Sequence, residues 1–111
     1  MSLTTLTEEE QSVVKRTMEA TFKFFDFDFH SRLGVTTDEM KALLLNWPNV
    51  DDSDSNQIAT VAINNSLNDL LHGEGIDDEK AIMMIGVDRD EMLRVYRKWA
   101  RNRGWSSTGV M

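Results

Sequence analysis

Apolar residues recur along this chain at intervals of three and four, the spacing that places them on one side of a helix. Met40, Leu43, Leu44 and Trp47 form one such stripe, and Met92, Val95, Tyr96 and Trp99 form another. Val14, Met18, Phe22 and Phe25 form a third. A longer helix is predicted from about Ser55 to His72. It carries Ile58, Val61 and Ala62 on one side and Ile63, Leu67, Leu70 and Leu71 on the other. Apolar surface on two sides places that helix centrally, between neighbours.

The polar positions between these stripes read as helix starts and stops. Thr7 with Glu10, and Thr36 with Glu39, have the spacing of a capping box, in which hydroxyl and carboxylate satisfy backbone donors at a helix start. Asp88 with Glu91 takes the same form, and Asp77 caps a short helix running through Ile85. Pro48 ends the second helix, Gly73-Glu74-Gly75 interrupts the chain, and the last helix stops near Gly104, with Trp105 packing back on it. Phe25-Asp26-Phe27-Asp28-Phe29 alternates as a half-buried strand does, but no second strand is evident to pair with it. The segment is therefore expected to be a helix end or irregular. The fold class that follows is all-α, a compact bundle of about five helices.

An internal repeat organises the bundle. Gly34-Val35-Thr36-Thr37-Asp38-Glu39-Met40 returns as Gly86-Val87-Asp88-Arg89-Asp90-Glu91-Met92, 52 residues later, with five identities in seven positions. Trp47 and Trp99 extend the match at the same spacing. The expected organisation is one helical domain over residues 1–111. It divides into a first unit (about 7–48), an acidic loop (49–55), a second unit (about 56–104) and a short tail (105–111). The two related helices are expected to set their tryptophans facing each other across the core.

Composition changes this picture little. The chain has 111 residues, 41% hydrophobic and 28% charged, within the range of a globular domain and outside that of a disordered one. No apolar run approaches a bilayer span, and the start lacks the pattern of a secretory signal. With no cysteine there is no disulfide, thiolate site or thiol nucleophile, so a cytoplasmic location is the expectation.

Charge adds more. Residues 1–88 hold 6 Lys and Arg against 17 Asp and Glu, a balance of −11, whereas residues 89–111 hold 6 against 2, a balance of +4. At about 100° per residue, Arg94, Arg97, Lys98 and Arg101 fall within roughly 140° to 240° of Met92, opposite the apolar stripe. Arg89 and Arg103 belong to the same basic stretch but fall outside this strip.

Residues 77–103 resemble a helix-turn-helix. Ala81, Ile85, Gly86, Val87, Met92 and Val95 stand where that motif has its packing residues and turn glycine. The resemblance implies nucleic-acid binding, with the basic strip on phosphates. Against it, a recognition helix reads bases mainly with its first turn, which here is Asp88, Arg89, Asp90 and Glu91. The matching positions of the first unit are Ala42, Leu45, Asn46 and Asn49, all uncharged.

A second resemblance is to the entry of an EF-hand, at Phe22-Lys23-Phe24-Phe25-Asp26-Phe27-Asp28. It implies calcium ligands at Asp26 and Asp28, loop positions one and three. The pattern then departs: position six is Ser31 rather than glycine, and position twelve is Thr37 rather than glutamate. Asp26, Asp28 and His30 would share one face of an extended segment, where they could meet a transition metal. His72, just before Gly73, suits a helix C-terminus.

No nucleophile motif, phosphate loop or histidine pair at metal spacing is present, so no catalytic residue, cofactor or metal is assigned. The leading expectation is a non-enzymatic regulatory or interaction protein that engages an acidic macromolecular partner, in the first place a protein, through Arg94, Arg97, Lys98 and Arg101. The alternatives are a nucleic-acid-binding regulator and a degenerate EF-hand-like calcium binder. Leu45 falls away from its helix's apolar stripe, which marks that face as a candidate contact in a homodimer.

Overall fold

The computed structural model describes residues 2–24, 29–54, 56–73 and 75–102, and among these every regular element is helical. After a 3-10 turn at Ser2–Thr5 come α1 (Glu8–Phe24), α2 (Phe29–Leu33), α3 (Thr37–Leu45) and α4 (Ile58–Asn68). The chain then widens into a π turn (Asp69–Gly73) before α5 (Asp78–Met84) and α6 (Arg89–Asn102). Residues 25–28 of the alternating segment, and the chain beyond Asn102 that includes Arg103, Gly104 and Trp105, lie outside the described residues. Phe29 opens α2, and its ring stacks on Phe22 at 5.2 Å.

Local signals place the helix starts. Thr7 Oγ1 accepts the Glu10 amide at 3.1 Å while Glu10 Oε1 accepts the Thr7 amide at 2.8 Å, a reciprocal capping box. Thr36 and Glu39 repeat the arrangement at 3.1 and 2.8 Å. At α5, Asp77 accepts the Lys80 amide at 2.8 Å. The sequence repeat is thus a structural one. In each copy a helix ends on a glycine with positive φ (74° at Gly34, 94° at Gly86), and a valine and a cap residue lead into the next helix. Left-handed backbone at these two points is what requires glycine.

The two copies pack differently. α4 is the central element, touching α1, α2, α3 and α6. Its Ile63 and Leu67, with Leu70 of the π turn, are wholly buried alongside Val14 and Met18 of α1 and Ile85. α6 leans on α1, α4 and the N-terminal turn, so Met92, Val95, Tyr96, Trp99 and Ala100 are all buried. α3 has chiefly α1 and α4 as neighbours. Only Met40 of its stripe is fully buried, while Leu43, Leu44 and Trp47 are half-buried. The aligned tryptophans therefore differ: Trp99 is a core residue, and Trp47, beyond the end of α3, packs at the edge. The related helices flank α1 and α4 instead of facing one another.

The acidic loop is tied down. Asp52 is completely buried, its Oδ2 accepting both the Leu3 amide and the Trp99 indole N–H at 2.9 Å. A segment whose aspartates suggest a solvated connector thus anchors the N-terminal turn to the last helix. A bidentate pair between Arg32 and Asp69 (2.6 and 3.2 Å) ties α2 to the π turn.

Candidate functional site

The basic strip is built on α6, a sharply two-faced helix, with its tryptophan side buried as its spacing predicts. What the other side meets is the N-terminus of α1. Glu10 sits on the buried side of α1, four residues before Val14 and eight before Met18, and is itself buried. Its Oε2 accepts from Arg94 Nη1 at 2.9 Å, and its Oε1 accepts from Lys98 Nζ at 2.7 Å. Arg94 also forms a two-point pair with Glu91, at 2.8 and 2.6 Å. One carboxylate therefore closes the α1 capping box and clamps two turns of α6.

The electrostatics follow from this crowding. Burial pushes the Glu10 carboxyl upward, but hydrogen bonds from Lys98, the Thr7 amide and Arg94 outweigh it and hold the pKa at about 2. Arg94 is shifted upward by its bonds to Glu91 and then Glu10. Glu91 is held below its ordinary value, chiefly by the Arg94 hydrogen bond.

The four predicted cations thus divide. Arg94 and Lys98 are engaged by the protein's own carboxylates, so the continuous free strip expected from the sequence narrows to Arg97 and Arg101. These two are exposed, one turn apart, and have no ion pair among the described residues. Arg89, outside the strip at the start of α6, turns inward and donates to the Leu71 carbonyl at 2.6 Å.

Sequence reasoning identified Glu10 only as a helix cap. Its ion-pair partners lie more than 80 residues away, beyond the reach of any local pattern. One signal was available: a carboxylate in register with Val14 and Met18 lies in an apolar stripe, and a buried charge requires cations.

In the segment resembling a helix-turn-helix, α5, Gly86 and α6 do form a helix, turn and helix. Two first-turn donors of α6 are occupied: Asp78 accepts the Arg89 amide at 3.0 Å and Asp88 accepts the Glu91 amide at 2.9 Å. In the segment resembling an EF-hand, Asp26 and Asp28 lie outside the described residues. Loop positions four to eight are the helix Phe29–Leu33, and Glu39 is taken by the Thr36 cap. Among the described residues no three Asp, Glu or His side chains converge as a metal site, and no helix is long and apolar enough to cross a membrane.

Comparisons with protein-family models, curated proteins and solved structures return no match.

Proposed function

We propose that this chain is a non-enzymatic interaction protein that receives an acidic protein partner at the outer side of α6, through Arg97 and Arg101. The observation that carries this reading is the division of the four cations. The Glu10 clamp fixes the helix with Arg94 and Lys98 and leaves Arg97 and Arg101 presented to solvent. Exposed ion pairs contribute only about 0.2–1 kcal/mol each. Two arginines therefore guide and orient an acidic partner more than they hold it.

The nucleic-acid alternative has less support. Carboxylates of Asp78 and Asp88 occupy the α6 amides that would meet a phosphate, and Asp90 stands exposed on the same turn.

Fluorescence anisotropy with labelled polyglutamate and a short DNA duplex, each at two salt concentrations, tests the reading. Polyglutamate should bind weakly at low salt with amide shifts centred on Arg97 and Arg101, and Arg97→Glu with Arg101→Glu should remove those shifts while Lys98→Gln leaves them intact. Shifts that survive the double reversal or centre elsewhere refute the assignment, and a preference for the duplex transfers it to nucleic acid.

A further inference from the structure

The positive charge of the acidic part of the chain is gathered in one place. Of the six Lys and Arg in residues 1–88, Lys15, Arg16 and Lys23 are on α1 and Lys41 is on α3 beside it. At about 100° per residue, Lys15, Arg16, Glu19 and Lys23 fall in a sector roughly 100° wide, shared by Glu8 and opposite the buried Glu10, Thr17 and Thr21. They form the outward ridge of α1. Lys15, Lys23 and Lys41 have no ion pair among the described residues, and Arg16 donates one N–H to the Ile85 carbonyl at 3.2 Å.

Apolar side chains flank this ridge on both sides. Towards α3 lies a hollow of about 440 Å³ lined by Lys15, Glu19, Lys41, Leu44 and Leu45. Towards α5 lies a second, of about 300 Å³, lined by Arg16, Glu19, Ala20, Lys23, Met83 and Met84. Leu45 is 87% exposed and Met83 72% exposed. With Ile82, they are three of the four large hydrophobic residues exposed among the described residues, and all three stand on the helices bordering α1. Apolar side chains held in the open beside unpaired cations combine an anchor with a charge code.

We infer that the α1 ridge and its two flanking hollows form a docking face for an acidic amphipathic helix of another protein. The occupant's apolar side chains settle against Leu45 on one side of α1 or Met83 on the other, and its carboxylates meet Lys15, Lys41, Arg16 and Lys23. Charge disfavours a second copy on the same face. A twofold axis through the middle of this face would bring Lys15, Arg16 and Lys41 near their own duplicates, with Glu19 the carboxylate among them and Glu8 two turns away at the start of α1. A membrane is disfavoured because the exposed apolar side chains are few and stand on opposite sides of α1, with charged side chains between them. This face is separate from Arg97 and Arg101, and the inference does not depend on them.

The test is to pan a display library of randomised helical segments against the full chain and to map the best binder by amide chemical shifts. Enriched sequences should carry an apolar stripe bordered by Asp and Glu, and shifts should centre on Lys15, Glu19, Lys41, Leu45 and Met83. Leu45→Ser and Met83→Ser, both at exposed positions, should each weaken the selected helix about tenfold or less, depending on which hollow it fills, and at least one by several-fold. Lys15→Glu with Lys41→Glu should do the same, whereas Arg97→Glu should change nothing. Four results each overturn the inference: enrichment of basic helices, shifts mapping elsewhere, a mass by sedimentation twice that of the monomer that returns to one in Leu45→Ser, or binding to anionic vesicles with no selected peptide.

Discussion

Replacing Glu10 with glutamine isolates the clamp between the first and last helices. Glutamine is also accepted at the third position of a capping box, so the start of α1 is kept while the charge received by Arg94 and Lys98 is removed. The carboxyl titrates at about 2 in the fold against an ordinary 4.5, and at about 1.4 kcal/mol per tenfold change that gap corresponds to a ceiling of about 3 kcal/mol. Arg94 is half-exposed, and solvent screening brings the expected loss for Glu10→Gln to about 2 kcal/mol. In a chain of this size that lowers the melting temperature by roughly 8 °C. The pH dependence has a definite sign. Between pH 4.5 and 2 the unfolded chain holds the Glu10 proton and the folded chain does not, so acid favours unfolding. The contribution is complete above 4.5 and lost as pH falls towards 2. Urea unfolding of both proteins from about pH 7 down to about pH 2.5 reads this directly, since the other carboxylates titrate in both and cancel in the difference. Equal stabilities at neutral pH, or a gap that stays constant to the acid end of that range, would refute the clamp.

Other outcomes follow from single features. Asp52→Ala removes the acceptor of both Leu3 and Trp99 from a fully buried position, and should cost about 2–4 kcal/mol in urea unfolding; a loss under about 1 kcal/mol contradicts that role. Gly34→Ala and Gly86→Ala both force a side chain into left-handed backbone, at about 1–2 kcal/mol. The Gly34 variant should lose more, because its new Cβ meets Val61 Cγ1 at 2.8 Å while that at Gly86 meets only the movable tip of Arg16. Equal melting temperatures would contradict this. Tyr96, the one tyrosine of the chain, is buried, which raises its pKa, and it donates to Asn64 Oδ1 at 2.6 Å. Its phenolate absorbance should therefore appear only with alkaline unfolding, and reversible ionisation near about pH 10 in a native circular-dichroism background would contradict that burial.

The helical class, the caps and the buried stripe of α6 were legible because each depends on residues within one or two turns. The repeat was legible for the same reason: glycine, valine, cap and methionine encode a local bend. What the chain order conceals is how distant groups meet. Asp51, Asp52 and Asp54 look alike in sequence, yet Asp52 alone lies beneath Trp99, because docking of α6 and the N-terminal turn selects it. Likewise the four cations of α6 are equivalent on a helical wheel. Only the position of α1 beside them turns Arg94 and Lys98 inward. The outer ridge of α1 was missed for a related reason. Its lysines gain meaning from Leu45 and Met83, which chain separation hides and packing brings alongside.

The anchors of the N-terminal segment have a consequence for biosynthesis. Leu3 is secured through Asp52 together with Trp99, Glu10 by Arg94 and Lys98, and Arg16 by the Ile85 carbonyl. During synthesis the Glu10 and Arg16 links must wait for residues 85–98, whereas the Leu3 amide can meet Asp52 earlier. Intermediates halted before Arg94 would expose the underside of α1, making them natural clients for chaperones and proteases.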